Sequence, residues 1–325
     1  MLDRSHALRL CRALIFEEMA RVLPGTAREV PPQTWTETTR IDETGLGFDS
    51  LARIDLVTVF NRRFGLHVSG VEDYMLIRLE LGDWAELLQE HFRRIGPDTE
   101  MVFFTSGSTG QPKETRHPLG MLCEEIDAHI ATSLADRPER VVSLVPPHHI
   151  YGFLFTVLLP SRLGCDLCDL AGKGPGALGR ERRAGDLIIG TPHLLSRALP
   201  LWSPGPAGVN AVTSTAPAPA ELWDQARSAG ISSLIEVYGS SETAGVGIRD
   251  GADRPFRLLP YLSPGNPPTR NGAPIALQDR LDWIGATQFR VLGRQDGAVQ
   301  VGGNNVFPDE IARSLCAQPG VTAAH

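Results

Sequence analysis

Lysine is nearly absent from this 325-residue chain. Lys113 and Lys173 are the only two, and arginine supplies the rest of the 31 basic side chains. Set against 38 Asp and Glu, the formal net charge is −7, which excludes an extended nucleic-acid-binding face. Long apolar runs are also missing. The longest, residues 150–160, reaches about half of the ~20 residues a spanning helix needs. Asp3, Arg4, Arg9, Arg12, Glu17 and Glu18 break the first twenty residues, so no membrane or export segment is expected. Cysteine is sparse and odd in number. Cys11, Cys123, Cys165, Cys168 and Cys316 are expected to be free thiols in a reducing cytoplasm. Cys165 and Cys168 have no second pair or histidine at ligand spacing, and read as two buried thiols rather than a metal or redox pair. No repeat at solenoid spacing occurs.

What is present is ordinary globular material, 42% hydrophobic and 21% charged, long enough for two or three domains. Residues 1–96 read as a small helical unit. Leu8, Cys11, Ile15, Met19 and Val22 form one apolar stripe, and residues 24–47 read as a long loop. Asp49 or Ser50 is expected to cap a second helix burying Leu51, Ile54, Val57, Phe60 and Phe64, ended by Gly65. A last helix carries Leu81, Trp84, Leu88 and Phe92. After Pro97 short apolar strands (101–104, 141–145, 186–189, 210–213, 234–238) alternate with helices such as 220–229. This predicts an α/β fold with a mostly parallel sheet. Residues 249–272 read as loop, and 289–301 as a hairpin.

The densest chemistry is Thr105-Ser106-Gly107-Ser108-Thr109-Gly110-Gln111-Pro112-Lys113, directly after a strand. Glycines let backbone N–H groups converge on an anion, hydroxyls add donors, and lysine adds charge. The spacing is not that of a Walker loop. A plain surface turn would explain the serines and glycines, but not one of only two lysines.

This segment resembles the phosphate loop of the acyl-adenylate-forming (AMP-binding) superfamily, which includes acyl-CoA synthetases, aryl-acid ligases and nonribosomal adenylation domains. The other motifs follow in family order. Pro147-His148-His149-Ile150-Tyr151-Gly152 resembles the segment whose histidine borders the carboxylate pocket, here His149. Ser214-Thr215-Ala216-Pro217 is similar to the strand end flanking adenine. Tyr238-Gly239-Ser240-Ser241-Glu242-Thr243 is similar to the motif whose tyrosine stacks on adenine and whose glutamate holds Mg²⁺, with Ser241 in place of the usual threonine. Gly293-Arg294-Gln295-Asp296 resembles the hinge. Fifteen residues before Arg294, Asp279 matches the aspartate that binds ribose hydroxyls, and residues 302–311 resemble the start of the small domain. The resemblance implies ATP, Mg²⁺ and a carboxylic acid, aryl or fatty, activated as an acyl-adenylate and passed to a phosphopantetheine thiol or CoA. Lys113, Thr109, Glu242 and His149 would be catalytic, and Thr105, Ser106, Gly107, Ser108, Gly110, Ala216, Tyr238, Gly239, Ser241, Asp279 and Arg294 would bind nucleotide. Without the resemblance, Glu242 reads as the start of a helix and Asp279 as an exposed turn acid.

Gly45-Leu46-Gly47-Phe48-Asp49-Ser50-Leu51 resembles an acyl carrier protein, in which Ser50 would carry 4′-phosphopantetheine placed there by a phosphopantetheinyl transferase. The acceptor would then be the chain's own carrier or a separate one. The plain alternative is that Ser50 is an N-cap. Domains are expected at 1–96 (carrier-like), 97–292 (adenylation core) and 293–325 (an incomplete small domain). Two departures stand out: the large domain is abbreviated before its phosphate loop, and no lysine follows Lys173 where the family places a late catalytic one. These fit a truncated chain, or a carrier or interaction protein whose nucleotide-binding half is catalytically impaired.

Overall fold

The computed structural model describes residues 2–105, 113–134, 136–202, 205–295, 297, 299–301, 304–306, 308–318 and 321. The chain divides into two units, one from Met1–Phe103, Thr115–Ile130 and Asp136–Ala171, the other from Phe104–Glu114, Ala131–Ala135 and Gly172–His325. The unit holding the amino-terminal helices thus continues beyond residue 96.

In chain order its elements are α1 (Arg4–Val22), α2 (Pro24–Glu29), α3 (Ser50–Phe64), α4 (Glu72–Ile77), α5 (Leu81–Ile95), β1 (Glu100–Thr105), β2 (Lys113–Pro118), α6 (Leu119–Thr132), β3 (Arg140–Ser143), α7 (Ile150–Phe153), α8 (Leu159–Leu163) and β4 (Asp166–Asp169). β1 and β2 reach into the second unit at Phe104–Glu114, as α6 does at its last turn. A π-helical turn, Leu154–Leu158, joins α7 to α8. Asp3 caps α1 by accepting from His6 N–H at 2.9 Å. The stripe Leu8, Cys11, Ile15 and Met19 is buried as expected, whereas Val22 is partly exposed. Pro24 starts α2 where a loop was expected, because proline at a first helical position gives up only an N–H that has no partner there. Asp49 caps α3, accepting from Ala52 N–H at 2.8 Å, and Gly65 closes it at φ 64°.

The buried face of α3 is Leu56, Val57, Phe60, Arg63 and Phe64, while Leu51 and Ile54 are exposed at 69% and 51%. From Leu51 to Phe60 the expected stripe advanced by three residues at each step. Every such step falls roughly 60° short of a full turn, so Leu51 and Phe60 end up on opposite faces. Phe60 meets Trp84 edge-on at 5.1 Å and Phe64 meets Phe92 at 5.9 Å, which docks α3 on α5. Leu81, Trp84, Leu88 and Phe92 are all buried.

α1 is anchored to the start of the sheet by one side chain. Arg9 is buried and donates to Asp169 Oδ2 at 2.6 Å, Thr156 Oγ1 at 2.7 Å, Ser143 Oγ at 2.9 Å and Val145 O at 3.2 Å. A planar fork of five donors is suited to meeting oxygens on β3, β4 and the π-turn together. β3 and β4 pair in parallel. Cys165 and Cys168, at this strand, form no disulfide and are half-buried rather than buried.

The second unit continues with α9 (Pro175–Glu181), β5 (Asp186–Gly190), α10 (Pro192–Ala198), β6 (Val209–Thr213), α11 (Ala220–Ser228), β7 (Ile231–Ser240), β8 (Ala244–Arg249), β9 (Phe256–Leu258), β10 (Thr269–Arg270), β11 (Ala273–Pro274), β12 (Asp279–Trp283), β13 (Gln288–Arg294), β14 (Val299–Val301), β15 (Asn304–Val306) and α12 (Pro308–Cys316). β5, β6 and β7 are parallel neighbours, and β5 is buried throughout. The expected α/β class with its parallel sheet is therefore present. From β7 the sheet extends antiparallel through β8, β9, β13 and β12. The expected hairpin at 289–301 is instead two hairpins, β12–β13 and β14–β15. Trp283 and Phe289 sit opposite one another and pack at 5.3 Å, so Phe289 pairs backward in sequence rather than forward. Among the described residues no helix is long and apolar enough to cross a membrane.

Replacing Arg9 by Met removes the guanidinium donors to Asp169, Ser143 Oγ and Thr156 Oγ1, while Val145 O still accepts from Ser143 Oγ at 2.9 Å. Arg9→Met is expected to cost about 3 kcal/mol of unfolding free energy, read as a lowered urea midpoint. An unchanged midpoint would overturn the anchoring role.

Candidate nucleotide site

β6 and β7 run in parallel and finish at the same end of the sheet, the end at which open α/β sheets bind ligands. Two of the motifs sit there. Ser214 follows β6 and donates from Oγ to Val237 O at 2.9 Å. Thr215, next to it, adopts φ 82°, a strained conformation for a β-branched residue. Ala216 is half-buried in the same loop.

Tyr238, Gly239 and Ser240 end β7, and Ser241, Glu242 and Thr243 turn the chain into β8. Glu242 therefore sits at a β-hairpin tip and does not start a helix. The turn is tied internally, with Ser240 N–H donating to Thr243 Oγ1 at 3.0 Å and Thr243 N–H to Ser240 Oγ at 3.2 Å. Gly239 is obligatory, since a Cβ there would collide with Ala244 O.

Lys113, at the start of β2, reaches Glu242 across 129 positions of sequence, Nζ to Oε1 at 3.0 Å. Burial pushes the Glu242 carboxyl up, but hydrogen bonds from Lys113, its own backbone and Gln278 outweigh it and hold the group below the usual carboxylate range. Glu242 is thus ionised at neutral pH. Mg²⁺ is generally held by one or two carboxylates with substrate phosphates and water completing its shell. A single ionised carboxylate beside a lysine therefore fits a metal that arrives with nucleotide.

Tyr238 donates its hydroxyl to Asp279 Oδ2 at 2.9 Å, with its ring against Phe256 and Phe289 at 5.5 and 5.6 Å. Burial first, then the Asp279 charge, pushes the phenol pKa up. Asp279 is the register partner of Arg294 across the β12–β13 hairpin. The fifteen-residue spacing in the sequence is that hairpin, and the half-buried Asp279 is no exposed turn acid. Arg294 donates from Nη2 to Gln278 Oε1 at 2.7 Å.

The second unit thus brings together Lys113, Glu242, Tyr238, Asp279 and Arg294. Thr105 ends β1, and Ser106, Gly107, Ser108, Thr109 and Gly110 lie outside the described residues. His149 belongs to the first unit, exposed before α7. Beside it, burial pushes the His148 imidazole down to about 2. Arg63 donates to His148 O at 3.3 Å and to Glu17 Oε2 at 2.8 Å. Gly152 is obligatory too, because a Cβ would collide with Pro146 O. Ser50 opens α3 exposed, and the capping role falls to Asp49.

Motif reading missed two features. The buried Glu236 carboxylate receives Arg249 Nε at 2.6 Å and Ala218 N–H at 2.9 Å. Their only trace in sequence is a charge of each sign inside otherwise apolar strands. Gln278 left no trace at all.

A family profile described as "AMP-binding enzyme" matches residues 73–306. The chain belongs to the AMP-binding enzyme family. It is 42% identical to a protein named 4-coumarate--CoA ligase from Rhodobacter capsulatus over 325 residues, 97% of this chain and 83% of that one. It is 39% identical to the protein of the same name from Cereibacter sphaeroides over 338 residues, 100% of this chain and 82% of that one. The amino-terminal helices are therefore shared with proteins named CoA ligases. In fold it resembles a malonyl-CoA ligase complex holding methylmalonyl-CoA and AMP (TM-score 0.55, 21% identity, 69% of this chain) and o-succinylbenzoate CoA synthetase of Bacillus subtilis (TM-score 0.54, 16% identity, 68% of this chain). The chain spans 59% and 55% of the length of those two solved chains.

Because the Asp279 charge opposes the phenolate, removing that charge takes away one of the causes that raise the Tyr238 pKa. Asp279→Asn is expected to move the Tyr238 transition to lower pH in an absorbance titration, assigned by its loss in Tyr238→Phe. An unmoved transition would place the carboxylate away from the phenol.

Proposed function

We propose that this chain is an AMP-forming acid–thiol ligase that activates an aromatic carboxylic acid and passes it to the thiol of CoA. The observation that carries this is the gathering of Lys113, Glu242, Tyr238, Asp279 and Arg294 in one unit at the carboxyl ends of parallel strands. An aromatic acid is supported by the names of the relatives, which specify 4-coumarate, 2-succinylbenzoate and 3,4-dihydroxybenzoate.

In the first step a carboxylate oxygen bonds to the α-phosphorus of ATP. The bond from that phosphorus to the bridging oxygen breaks, and pyrophosphate leaves with the electron pair. Two anions must meet, so the barrier is chiefly electrostatic. Lys113 places a positive charge at the phosphate end, beside the N–H groups and hydroxyls that the glycine-rich segment 105–110 contributes by its sequence. Mg²⁺, held by Glu242 when bound, supplies further charge neutralisation. The Tyr238 ring, its tilt set by Asp279, Phe256 and Phe289, stacks on adenine. Asp279 and Arg294 take the ribose hydroxyls, and together these contacts fix orientation. In the second step the thiol sulfur bonds to the acyl carbon, the carbon–oxygen bond to AMP breaks, and the thiol proton passes to solvent. A second acceptor is favoured by the exposed Ser50 hydroxyl at the start of α3, where a phosphopantetheine arm would present the same thiol.

Purified protein is expected to catalyse ATP–pyrophosphate exchange dependent on a hydroxycinnamate, and Lys113→Ala is expected to lower it about a hundredfold. Exchange equal to that of Lys113→Ala across aryl and fatty acids would overturn the ligase reading. With free CoA as acceptor, intact mass stays unchanged after treatment with CoA and a phosphopantetheinyl transferase. A gain in mass that disappears in Ser50→Ala would assign the carrier role instead.

A further inference from the structure

The loop that carries Ala216 is held at both ends and strained between them. Pairing of β6 with β7 ends with Thr213 opposite Glu236. Beyond it Ser214 and Ala218 are buried, while Thr215 and Pro217 are exposed and Ala216 is half-buried. Both buried ends are tied to β7. Ser214 Oγ donates to Val237 O at 2.9 Å, and Ala218 N–H donates to Glu236 Oε1 at 2.9 Å. Between the two ties Thr215 stands at φ 82°. A β-branched residue keeps such a backbone only where its surroundings over-determine it. Two bonds, four residues apart in the loop and on adjacent residues of one strand, do that.

Glu236 is itself held from the other side. Arg249 Nε donates to its Oε2 at 2.6 Å, and Arg249 Nη1 donates to Ala252 O at 2.7 Å. An ionised carboxylate only accepts, and it offers an oxygen in each direction. A glutamine would instead turn its NH₂ toward one of the two donors, Ala218 N–H or Arg249. Tyr238 lies two residues further along β7, so its side chain leaves the same face of the strand as Glu236. Phe256 touches both groups, with its ring 5.5 Å from Tyr238 and 4.8 Å from the Arg249 guanidinium.

We propose that Glu236 is a positioning residue: held by Arg249, it clamps the strained Ser214–Ala218 loop against β7 and fixes Ala216 relative to Tyr238 before nucleotide arrives. This rests on the nucleotide-site reading above.

The test pairs thermal midpoints with calorimetric titration of the full chain with AMP. Thr215→Gly relieves the left-handed backbone and is expected to raise the midpoint of the otherwise native chain by about 2 °C. Glu236→Leu/Arg249→Met replaces the buried pair by apolar side chains of similar bulk, an exchange that folds tolerate. In that background the Ala218 tie is gone and Thr215 relaxes, so Thr215→Gly is expected to give no rise. The same double variant is expected to bind AMP about tenfold more weakly, at a temperature where it is fully folded. A role in folding alone would leave AMP affinity unchanged in the folded variant. Should the double variant fail to fold, Glu236→Gln, of the same size, takes its place with the same expected outcomes. An unraised midpoint in Thr215→Gly, or an equal rise in both backgrounds, would overturn the clamp. Unchanged AMP affinity would overturn its part in nucleotide binding. A wild type that binds no AMP would overturn the nucleotide site, while the midpoints would still decide the clamp.

Discussion

The buried Glu236 carboxylate is the constraint on which the candidate site depends. It lies on β7, accepts the Arg249 guanidinium from β8 and caps the Ala218 N–H in the loop after β6. A buried carboxylate is costly unless it is both paired and hydrogen-bonded. Burial does push its pKa up, against the pull of the Ala218 N–H and Arg249. Meeting that cost forces three chain segments into one relative position. They are the segments that present Ala216, Tyr238 and Glu242. Arg249 also lies over the Phe256 ring at 4.8 Å, and Phe256 stacks on Phe289 at 5.6 Å, so the same anchor extends to the antiparallel strands.

From that anchor outward, the polar groups of the site complete one another. Lys113 meets Glu242, Arg294 donates to Gln278, and Tyr238 meets Asp279. Each is fixed by a neighbour on a different strand or turn, so side chains from widely separated motifs have defined positions before any ligand enters. Such preorganisation is what electrostatic stabilisation of phosphoryl chemistry requires, since dipoles and charges already in place need not reorganise during the reaction. In the other unit Arg9 has the corresponding structural part, drawing oxygens from two strands and a π-turn to a single helix.

Legibility in the sequence followed how local each signal was. The strands at 141–145, 186–189, 210–213 and 234–238 were visible because a buried parallel strand is a short apolar run bounded by turn residues. The α3 stripe misled at its first turn, since regular spacing by three looks periodic in sequence yet winds half-way round a helix. Phe289 misled as well, because a strand with neighbours on both sides does not announce which of them it pairs with. Asp279 was found by its distance to Arg294. The structure supplies the reason for that distance, a hairpin whose strands place the two residues opposite one another.

By itself the sequence determined the kind of chemistry. The glycine-rich segment ending in one of two lysines, the Tyr-Gly-x-x-Glu turn and the spaced Asp279 and Arg294 are local patterns, of residue types that suit the phosphate, metal and ribose of the proposed reading. It also determined the α/β class, through the alternation of apolar strands with helices. Only the tertiary structure decided which of those groups meet: that Lys113 reaches Glu242, that Tyr238 shares its hydrogen with Asp279, and that an unremarked glutamine accepts from Arg294. The reason is that these contacts cross strands far apart in sequence. Pairing register and the burial of charges such as Glu236 choose the partners there, and no local pattern encodes that choice.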